Sequence, residues 1–254
     1  MNKINNINIQ VLKNKENEKP NLISEMFNNS YPNIYIQSKK NSGKTNLIYN
    51  IISFCAVPKK TKIYWFSKTA ENDKTSLLIF EKLDKYNINY EIVDELEYID
   101  DNGKKQKNII NKIINDVKSE LDFEKDKIKR SKYLYPKYIF IFDDFSEALR
   151  NKAIEPLLKK NRHYKIMTII SSQWFNDISP GARANINYLI LFSDVSIKKL
   201  KDIYDTYINN MTFEQFVDIY NKITSEKYSF IYINTDDSKD LRKNFNLLVD
   251  ISSL

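Results

Sequence analysis

A short polar segment that contains one glycine has the residue types needed to bind a phosphate group. Residues 38–45 read Ser-Lys-Lys-Asn-Ser-Gly-Lys-Thr and follow an apolar run, residues 33–37. The pattern G-x-x-x-x-G-K-[ST], placed between a strand and a helix, forms a loop whose backbone N–H groups surround phosphate oxygens. Ser38 stands where this pattern has its first glycine, whereas Gly43 is retained in a chain of 254 residues with only three glycines. We therefore expect Gly43 to occupy a position that a Cβ atom would disturb.

The residue types within this loop predict separate roles. Lys44 would reach the β- and γ-phosphate oxygens, and Thr45 would offer its hydroxyl to Mg²⁺. The predicted phosphate-binding residues are Ser38, Lys39, Lys40, Asn41, Ser42, Gly43, Lys44, Thr45 and Asn46. The alternative is a chance Gly-Lys-Thr in a lysine-rich turn.

Two adjacent aspartates could complete a magnesium site. The apolar run at residues 138–142 predicts a strand buried on both faces, and Asp143 and Asp144 follow it directly. P-loop NTPases hold Mg²⁺ with an acidic residue at the end of such a strand. We assign Mg²⁺ to Asp143 and activation of the attacking water to Asp144, with Glu147 as the second candidate base. The alternative is that both aspartates only cap the next helix.

Gln173 directly follows the next apolar run, residues 166–172. An amide at the tip of a neighbouring strand could sense the γ-phosphate or orient water, and the alternative is a polar strand end at the surface. His163 is the only histidine, and we expect it to be structural rather than catalytic.

Alternating strands and helices must position these residues. The apolar periodicity predicts strands at residues 33–37, 62–66, 89–93, 138–142, 166–171, 188–192 and 228–234. It predicts helices at residues 44–54, 75–86, 148–160, 197–208 and 212–224. This alternation is typical of an α/β three-layer sandwich with a mainly parallel central sheet. We interpret residues 1–30 as an N-terminal arm and residues 31–254 as one domain, with an exposed, charged helical insertion at about 100–132.

The composition excludes several classes of protein. A hydrophobic fraction of 42% argues against a disordered chain, and we find neither a membrane-spanning run nor a signal peptide. The single cysteine, Cys55, cannot form an internal disulfide. We therefore expect a soluble protein that is not secreted. The net charge of +7 is compatible with a polyanionic partner such as nucleic acid, although the Asn-, Lys- and Ile-rich composition of an AT-rich genome also inflates lysine.

The ordered motifs resemble the genome-packaging ATPases of large double-stranded DNA viruses, virophages and related transposable elements, in the FtsK–HerA superfamily of P-loop NTPases. After the P-loop come YIFIFDDFSEAL at residues 138–149, RHYKIMTIISSQ at 162–173 and ISPGARANINYLILF at 178–192. The resemblance covers roughly residues 30 to 235. Two departures are Ser38 in place of the leading glycine and Asp144 where cellular members usually have Glu.

The resemblance implies an ATPase that binds ATP and Mg²⁺ and works as a ring of roughly five or six copies. Double-stranded DNA would pass through the ring without sequence preference, capsid proteins would be partners, and the protein would act in the virion or a cytoplasmic viral factory. The active site would lie between subunits and receive an arginine from the neighbour, for which Arg162 and Arg183 are candidates.

Several surface residues are candidates for contact with DNA or a second subunit. The candidates for DNA are the run Lys125 to Lys132 and the lysines Lys198, Lys199 and Lys201, each of which could instead be a solvated face. Trp174 and Phe175 could be exposed aromatics at a subunit contact, or core residues.

Two other function classes also fit a P-loop. One is a kinase of a nucleotide or small molecule, whose lid needs several arginines in a short segment. Residues 100–132 contain only Arg130, which argues against a kinase. The other class is a non-catalytic nucleotide-binding scaffold.

Overall fold

The protein is an α/β structure, described here by a computed structural model of residues 2–3, 26–100, 102–106, 108–125, 135–237 and 239–249. Its strands are β1 (Asn2–Lys3), β2 (Asn33–Gln37), β3 (Lys62–Phe66), β4 (Asn89–Val93), β5 (Tyr98–Ile99), β6 (Lys105–Gln106), β7 (Tyr138–Asp143), β8 (Ile166–Ser172), β9 (Tyr188–Phe192), β10 (Phe230–Asn234), β11 (Leu241–Lys243) and β12 (Leu247–Leu248). Its α-helices are α1 (Lys44–Cys55), α2 (Lys74–Lys85), α3 (Ile109–Lys125), α4 (Ser146–Leu149), α5 (Ile154–Lys160), α6 (Pro180–Arg183), α7 (Ile197–Tyr207) and α8 (Phe213–Thr224). Two short 3-10 turns cover Ala70–Asn72 and Phe175–Asp177.

Ten strands form one sheet in the order β1-β12-β11-β10-β9-β2-β8-β7-β3-β4, and β5 pairs with β6 separately. The six strands from β9 to β4 are parallel, whereas β10, β11, β12 and β1 extend the sheet in antiparallel fashion. Strands β2, β7, β8 and β9 are buried along their whole length, as expected for parallel strands covered on both faces.

Helices cover both faces of the sheet. Residues of α3, α4, α5, α7 and α8 pack in the core on one face, and residues of α1 and α2 pack on the other. The predicted three-layer α/β sandwich with a mainly parallel sheet is therefore confirmed. None of the helices in the described ranges is long and apolar enough to cross a membrane.

Two predicted elements differ from the structure by more than one residue at a boundary, in each case for a local reason. The helix predicted at residues 148–160 is divided into α4 and α5. The division occurs because the side chain of Asn151 accepts a hydrogen bond from the Ala153 N–H (2.9 Å) and forms a turn in place of a helical bond. The last long strand begins at Phe230 rather than Tyr228, since Tyr228 has a left-handed φ of 67° that a strand cannot contain.

The helical part of the charged insertion is amphipathic, as predicted, but it is not exposed on all sides. Ile110, Ile113 and Val117 of α3 are buried in the core. The prediction of an exposed insertion is therefore wrong for this face of the helix. Of the predicted N-terminal arm, β1 pairs with β12, and the ring of Phe27 packs 4.9 Å from that of Tyr188. The division of the chain at residue 30 stays a prediction.

Asp177, a buried residue, ties the end of β8 to α4. Its carboxylate accepts hydrogen bonds from Ser172 Oγ (2.6 Å), Ser146 Oγ (2.7 Å) and Arg150 Nη2 (2.9 Å). Burial by itself would raise the pKa of the Asp177 carboxyl, but these three donors together hold the pKa below its usual range. The bonds fix the strand end from which Gln173 projects.

We predict that Asp177→Asn lowers the free energy of unfolding by about 2 kcal/mol at about pH 7, because an amide accepts charge-assisted bonds less well than a carboxylate. A lowered folded-state pKa adds stability above the unfolded-state pKa and loses it as the pH falls through the folded-state value. The difference from wild type should therefore shrink below the ordinary carboxyl pKa of 3.8.

Urea unfolding at about pH 7 and about pH 3 measures this difference. The exposed Asp218 of α8 offers a matched control, since Asp218→Asn removes a carboxylate without a buried network. An equal loss of stability at both pH values would contradict the assignment.

Candidate functional site

The carboxyl ends of three neighbouring strands meet at one edge of the sheet. Gln37 of β2 pairs with Ser172 of β8, and Asp143 of β7 pairs with Ser171. Three segments therefore lie side by side at this edge: the loop that starts at Ser38, the aspartates at the end of β7, and Gln173 after β8. In open α/β sheets this edge is where ligands bind.

The loop between β2 and α1 ends at Gly43, which is the N-cap of α1 and has a φ of 94°. A Cβ atom there would lie 3.1 Å from Cδ1 of Tyr228, so both backbone conformation and space favour glycine. No side chain caps this helix end, and no acidic residue lies in its first turn. The first N–H groups of α1 are thus free to bind an anion at the positive end of the helix.

Lys44 contacts both aspartates of the predicted site. Its Nζ forms an ion pair with Asp144 Oδ2 and lies 3.6 Å from Asp143 Oδ1. The side chains of Lys44 and Asp143 are each only 11% exposed, and that of Asp144 is 36% exposed. Burial lowers the pKa of Lys44 and raises the pKa of Asp143, and the attraction between the two groups opposes each shift.

A cavity of about 620 Å³ opens beside this ion pair. It is lined by Lys40, Asn41, Gly43, Lys44, Thr45, Asn46, Thr69, Asn72, Asp73, Thr75, Ser76, Asp143, Asp144 and Tyr228. Its volume lies in the range of small-molecule sites. Six of the nine predicted phosphate-binding residues line it, whereas Lys39 is exposed outside it.

The loop also contains polar atoms that need a partner. Ser38 Oγ, Ser42 Oγ and Asn46 Oδ1 are buried and make no hydrogen bond to any described residue. Buried polar groups are normally satisfied, so these atoms are suited to a polar ligand.

The donor set also fits Mg²⁺ shared with phosphate. Thr45 and Asp143 line the same cavity, and Mg²⁺ is usually held by one or two carboxylates together with substrate phosphates. No cluster of three or more His, Cys, Asp or Glu side chains that could hold a metal occurs among the described residues. Mg²⁺ bound by few protein groups usually completes its coordination with substrate phosphates and water.

The sequence interpretation missed three residues of this edge. Asp73 lines the cavity and caps α2, accepting hydrogen bonds from the N–H (2.8 Å) and Oγ (2.9 Å) of Ser76. The Asp-x-x-Ser spacing before the predicted second helix is a signal that could have identified this cap. The other two residues are Gln37 and Tyr228. Tyr228 is distant from the loop in the sequence and lies beside Gly43 only in the folded chain.

Two hydrogen bonds fix the main chain of Gln173 and leave its side chain free of them. Its carbonyl oxygen accepts hydrogen bonds from Gln37 Nε2 (2.6 Å) and Lys199 Nζ (2.8 Å), and its side chain is exposed. Glu147 does not line the cavity, and its carboxylate forms an ion pair with Lys68 (2.6 Å). Glu147 is thus less well placed than Asp144 to act as a base.

The two candidate arginines differ in position and in contacts. Arg162 precedes β8 and therefore lies at the opposite edge of the sheet, where it lines a polar cavity of about 630 Å³ with His163 and Lys159. Its guanidinium makes no hydrogen bond or ion pair to the described parts of the chain, and both Arg162 and His163 are exposed. Arg183 is half-buried: its Nε donates to the Ile178 carbonyl (3.1 Å), and its guanidinium lies 4.7 Å from the Phe175 ring centroid.

The aromatic pair after Gln173 is divided between surface and core. Trp174 is 61% exposed, and the Lys199 ammonium lies 4.0 Å from its ring centroid. Phe175 is buried, so of the two alternatives the core position holds for this residue.

Of the candidate DNA-binding lysines, Lys198 is exposed on α7, while Lys201 pairs with Asp205 (2.7 Å). In the run Lys125 to Lys132, residues 126–132 lie outside the described residues, and only the backbone of Lys125, at the end of α3, is described.

No family model matches this chain. It is similar to an uncharacterised protein, 088R, of Invertebrate iridescent virus 3, with 32% identity over 123 residues that cover 46% of this chain and 47% of that protein. It is also similar to protein 075L of Invertebrate iridescent virus 6, with 31% identity over 117 residues, or 42% and 45% of the two chains. The matched segment spans about half the length of each relative.

Several solved structures share this fold. B204, the DNA-packaging ATPase of Sulfolobus turreted icosahedral virus, superposes with a TM-score of 0.55 at 17% identity over 84% of this chain and 96% of that chain. The genome-packaging NTPase B204 of Sulfolobus turreted icosahedral virus 2, in complex with ATP-gammaS, gives 0.53 at 15% identity over 85% and 97%.

The pCW3 conjugation coupling protein TcpA, solved as a monomer with ATPgS, gives a TM-score of 0.52 at 12% identity over 89% of this chain and 62% of that chain. The resemblance inferred from the sequence is thus confirmed at the level of the fold: the chain has a P-loop NTPase fold, which it shares with the viral genome-packaging NTPase B204. Its sequence relatives named here are viral proteins.

Proposed function

We propose that this protein is an ATP-hydrolysing motor that moves double-stranded DNA into a viral capsid. The observation that carries the proposal is the placement of Lys44 between Asp143 and Asp144, beside an uncapped helix end and a nucleotide-sized cavity. The viral relatives and the shared fold of packaging ATPases support the viral role.

Binding of ATP starts from an exchange of anions around Lys44. The ammonium of Lys44 is paired with the carboxylate of Asp144. The triphosphate brings several negative charges to the positive end of α1, where the loop N–H groups can bind them. The buried hydroxyls of Ser38 and Ser42, which make no hydrogen bond to the described residues, lie in the same loop. Lys44 then turns to the phosphate oxygens, and the carboxylate of Asp144 becomes free.

Hydrolysis uses the carboxylates in different ways. Thr45 and Asp143 would hold Mg²⁺, which supplies neutralisation of charge on the phosphates when it is bound. Asp144 polarises the attacking water and accepts its proton, while the water oxygen bonds to the γ-phosphorus and the bond to the bridging oxygen breaks to leave ADP. The exposed amide of Gln173, at the tip of the next strand, orients this water or senses the γ-phosphate.

Arg162 is the better candidate for an arginine that acts on a neighbouring subunit. The seven residues of β8 separate it from the cavity edge by roughly 20 Å, so it does not reach the cavity of its own chain. A second copy can present its exposed, unpaired guanidinium to the phosphates. Arg183 is a weaker candidate, because its guanidinium already packs on Phe175 and bonds to Ile178.

A ring of roughly five or six copies would form such sites between subunits. DNA passing through the ring would be bound by lysines such as Lys198 through its phosphates, without sequence preference. Docking on capsid proteins and action in the virion or the viral factory belong to the same proposal.

Lys44→Ala should lower ATP turnover by about 100-fold or more, because it removes the ammonium that lies beside both aspartates, where charge on the transferring phosphate must be stabilised. The measurement is phosphate release by the assembled protein with duplex DNA present. Lys222→Ala, at an exposed lysine of α8, should not change the rate. Retained turnover in Lys44→Ala would refute the proposal of an ATP-hydrolysing motor. If the wild type binds nucleotide without releasing phosphate, the alternative of a non-catalytic nucleotide-binding scaffold is favoured.

Mixing two inactive variants tests the shared site. We expect Arg162→Ala and Lys44→Ala each to be inactive, whereas a mixture regains activity, since about a quarter of the interfaces in a random ring pair an intact Lys44 with an intact Arg162. Lys159→Ala, at the same edge, serves as the control with unchanged activity. Full activity of Arg162→Ala, or no recovery on mixing, would exclude Arg162.

A further inference from the structure

We infer that Tyr228 is the base-binding residue of the nucleotide cavity and stacks on the purine ring of ATP. This inference rests on the proposed function and adds the residue that distinguishes nucleotides from bare phosphates at the same site. Tyr228 lies in the loop between α8 and β10, lines the cavity, and is 56% exposed. An exposed aromatic ring at the wall of a polar cavity has no packing role in the core.

The order of strands places Tyr228 opposite the catalytic carboxylates. From β2, which leads into the phosphate-binding loop, β8 and β7 follow on one side, and β9 and β10 follow on the other. Asp143 and Asp144 lie at the end of β7, and Tyr228 lies just before β10 at the same edge of the sheet. Because Lys44 and the aspartates define the γ-phosphate end, the ribose and base must extend away from them, toward Tyr228.

The ring of Tyr228 is also close enough to contact a bound nucleotide. Its Cδ1 atom would lie only 3.1 Å from a Cβ atom on Gly43, so the ring borders the end of the phosphate-binding loop. The base is separated from the phosphates by the ribose alone. A base that extends to this side of the loop would therefore contact the Tyr228 ring.

One face of the Tyr228 ring lies near a solvated cation. The ammonium of Lys227, an exposed residue, lies 4.8 Å from the ring centroid. A solvated cation over an aromatic face is readily replaced by a planar base, which gains stacking contact. Stacking tolerates any base, so this residue favours nucleotides over bare phosphates and discriminates little among purines.

The loop holds Tyr228 in a defined position. The Ser229 N–H donates to the Glu226 carbonyl (3.1 Å), and the Glu226 carboxylate pairs with Lys243 of β11. The left-handed φ of 67° at Tyr228 directs the chain into β10 at this point. The ring is thus preorganised at the cavity, which limits the entropy lost when a base binds.

Equilibrium binding of ATP and of inorganic tripolyphosphate separates base contact from phosphate contact. The proteins to compare by calorimetry with Mg²⁺ present are the full chain, Tyr228→Ala and Tyr228→Phe. We expect Tyr228→Ala to raise the Kd for ATP, and likewise for GTP, by about 10-fold, as loss of one stacking contact does. The Kd for tripolyphosphate should not change, and Tyr228→Phe, which keeps the ring, should bind all three ligands as the wild type does.

Three results would overturn the inference. Tyr228→Ala could bind ATP as tightly as the wild type, in which case the ring does not contact the base. It could weaken ATP and tripolyphosphate equally, in which case the ring only shapes the loop at Gly43. A wild type that binds neither ligand would instead overturn the proposed function, and the inference with it.

Discussion

The contact of one lysine with two adjacent aspartates is the interaction on which this structure depends. Lys44 begins α1, Asp143 is the last residue of β7 and Asp144 follows it, so the contact joins segments about 100 residues apart in the chain. The buried members of this contact are disfavoured in their charged forms, as the lowered pKa of Lys44 and the raised pKa of Asp143 show. Perturbed pKa values of this kind, caused by burial beside a charged partner, are characteristic of functional sites.

The parallel sheet explains why this arrangement can exist. Strands β2, β7 and β8 are buried along their length and end at one edge, so apolar packing positions polar groups that would not associate by themselves. Asp177 and the donors around it fix the end of β8 on the adjacent side. Rigidity at this edge thus comes from the core and from one buried carboxylate network, rather than from the loop that would contact phosphate.

Much of this could be predicted from the sequence, because it is encoded locally. Continuous apolar runs such as residues 138–142 predict buried strands, and the residue that follows each run lies at the edge of the sheet. Gly43 could be singled out since a chain so poor in glycine retains one before Lys44. The short strands β11 and β12 were not predicted, because their pairing is stabilised by partners that the local pattern does not reveal.

The remaining features depend on long-range geometry. Arg162 and Arg183 look equivalent in the sequence, and only the sheet places one at the far edge and packs the other on Phe175. Tyr228 lies far from Gly43 in the chain, and its contact with the loop follows from the position of β10 in the sheet. Asp177 resembles any polar loop residue until its three hydrogen-bond donors are known.

The carbonyl oxygen of Gln173 accepts hydrogen bonds from two directions, and this has a mechanical consequence. Gln37, one residue before the phosphate-binding loop, holds this oxygen from within the sheet, and Lys199 holds it from the surface while its ammonium lies over the ring of Trp174. A shift of the β8 tip of even a fraction of an ångström must lengthen one bond or draw the other partner along. The residue before the loop that leads into α1 and the exposed indole of Trp174 are thereby linked through one shared acceptor, the carbonyl oxygen of Gln173.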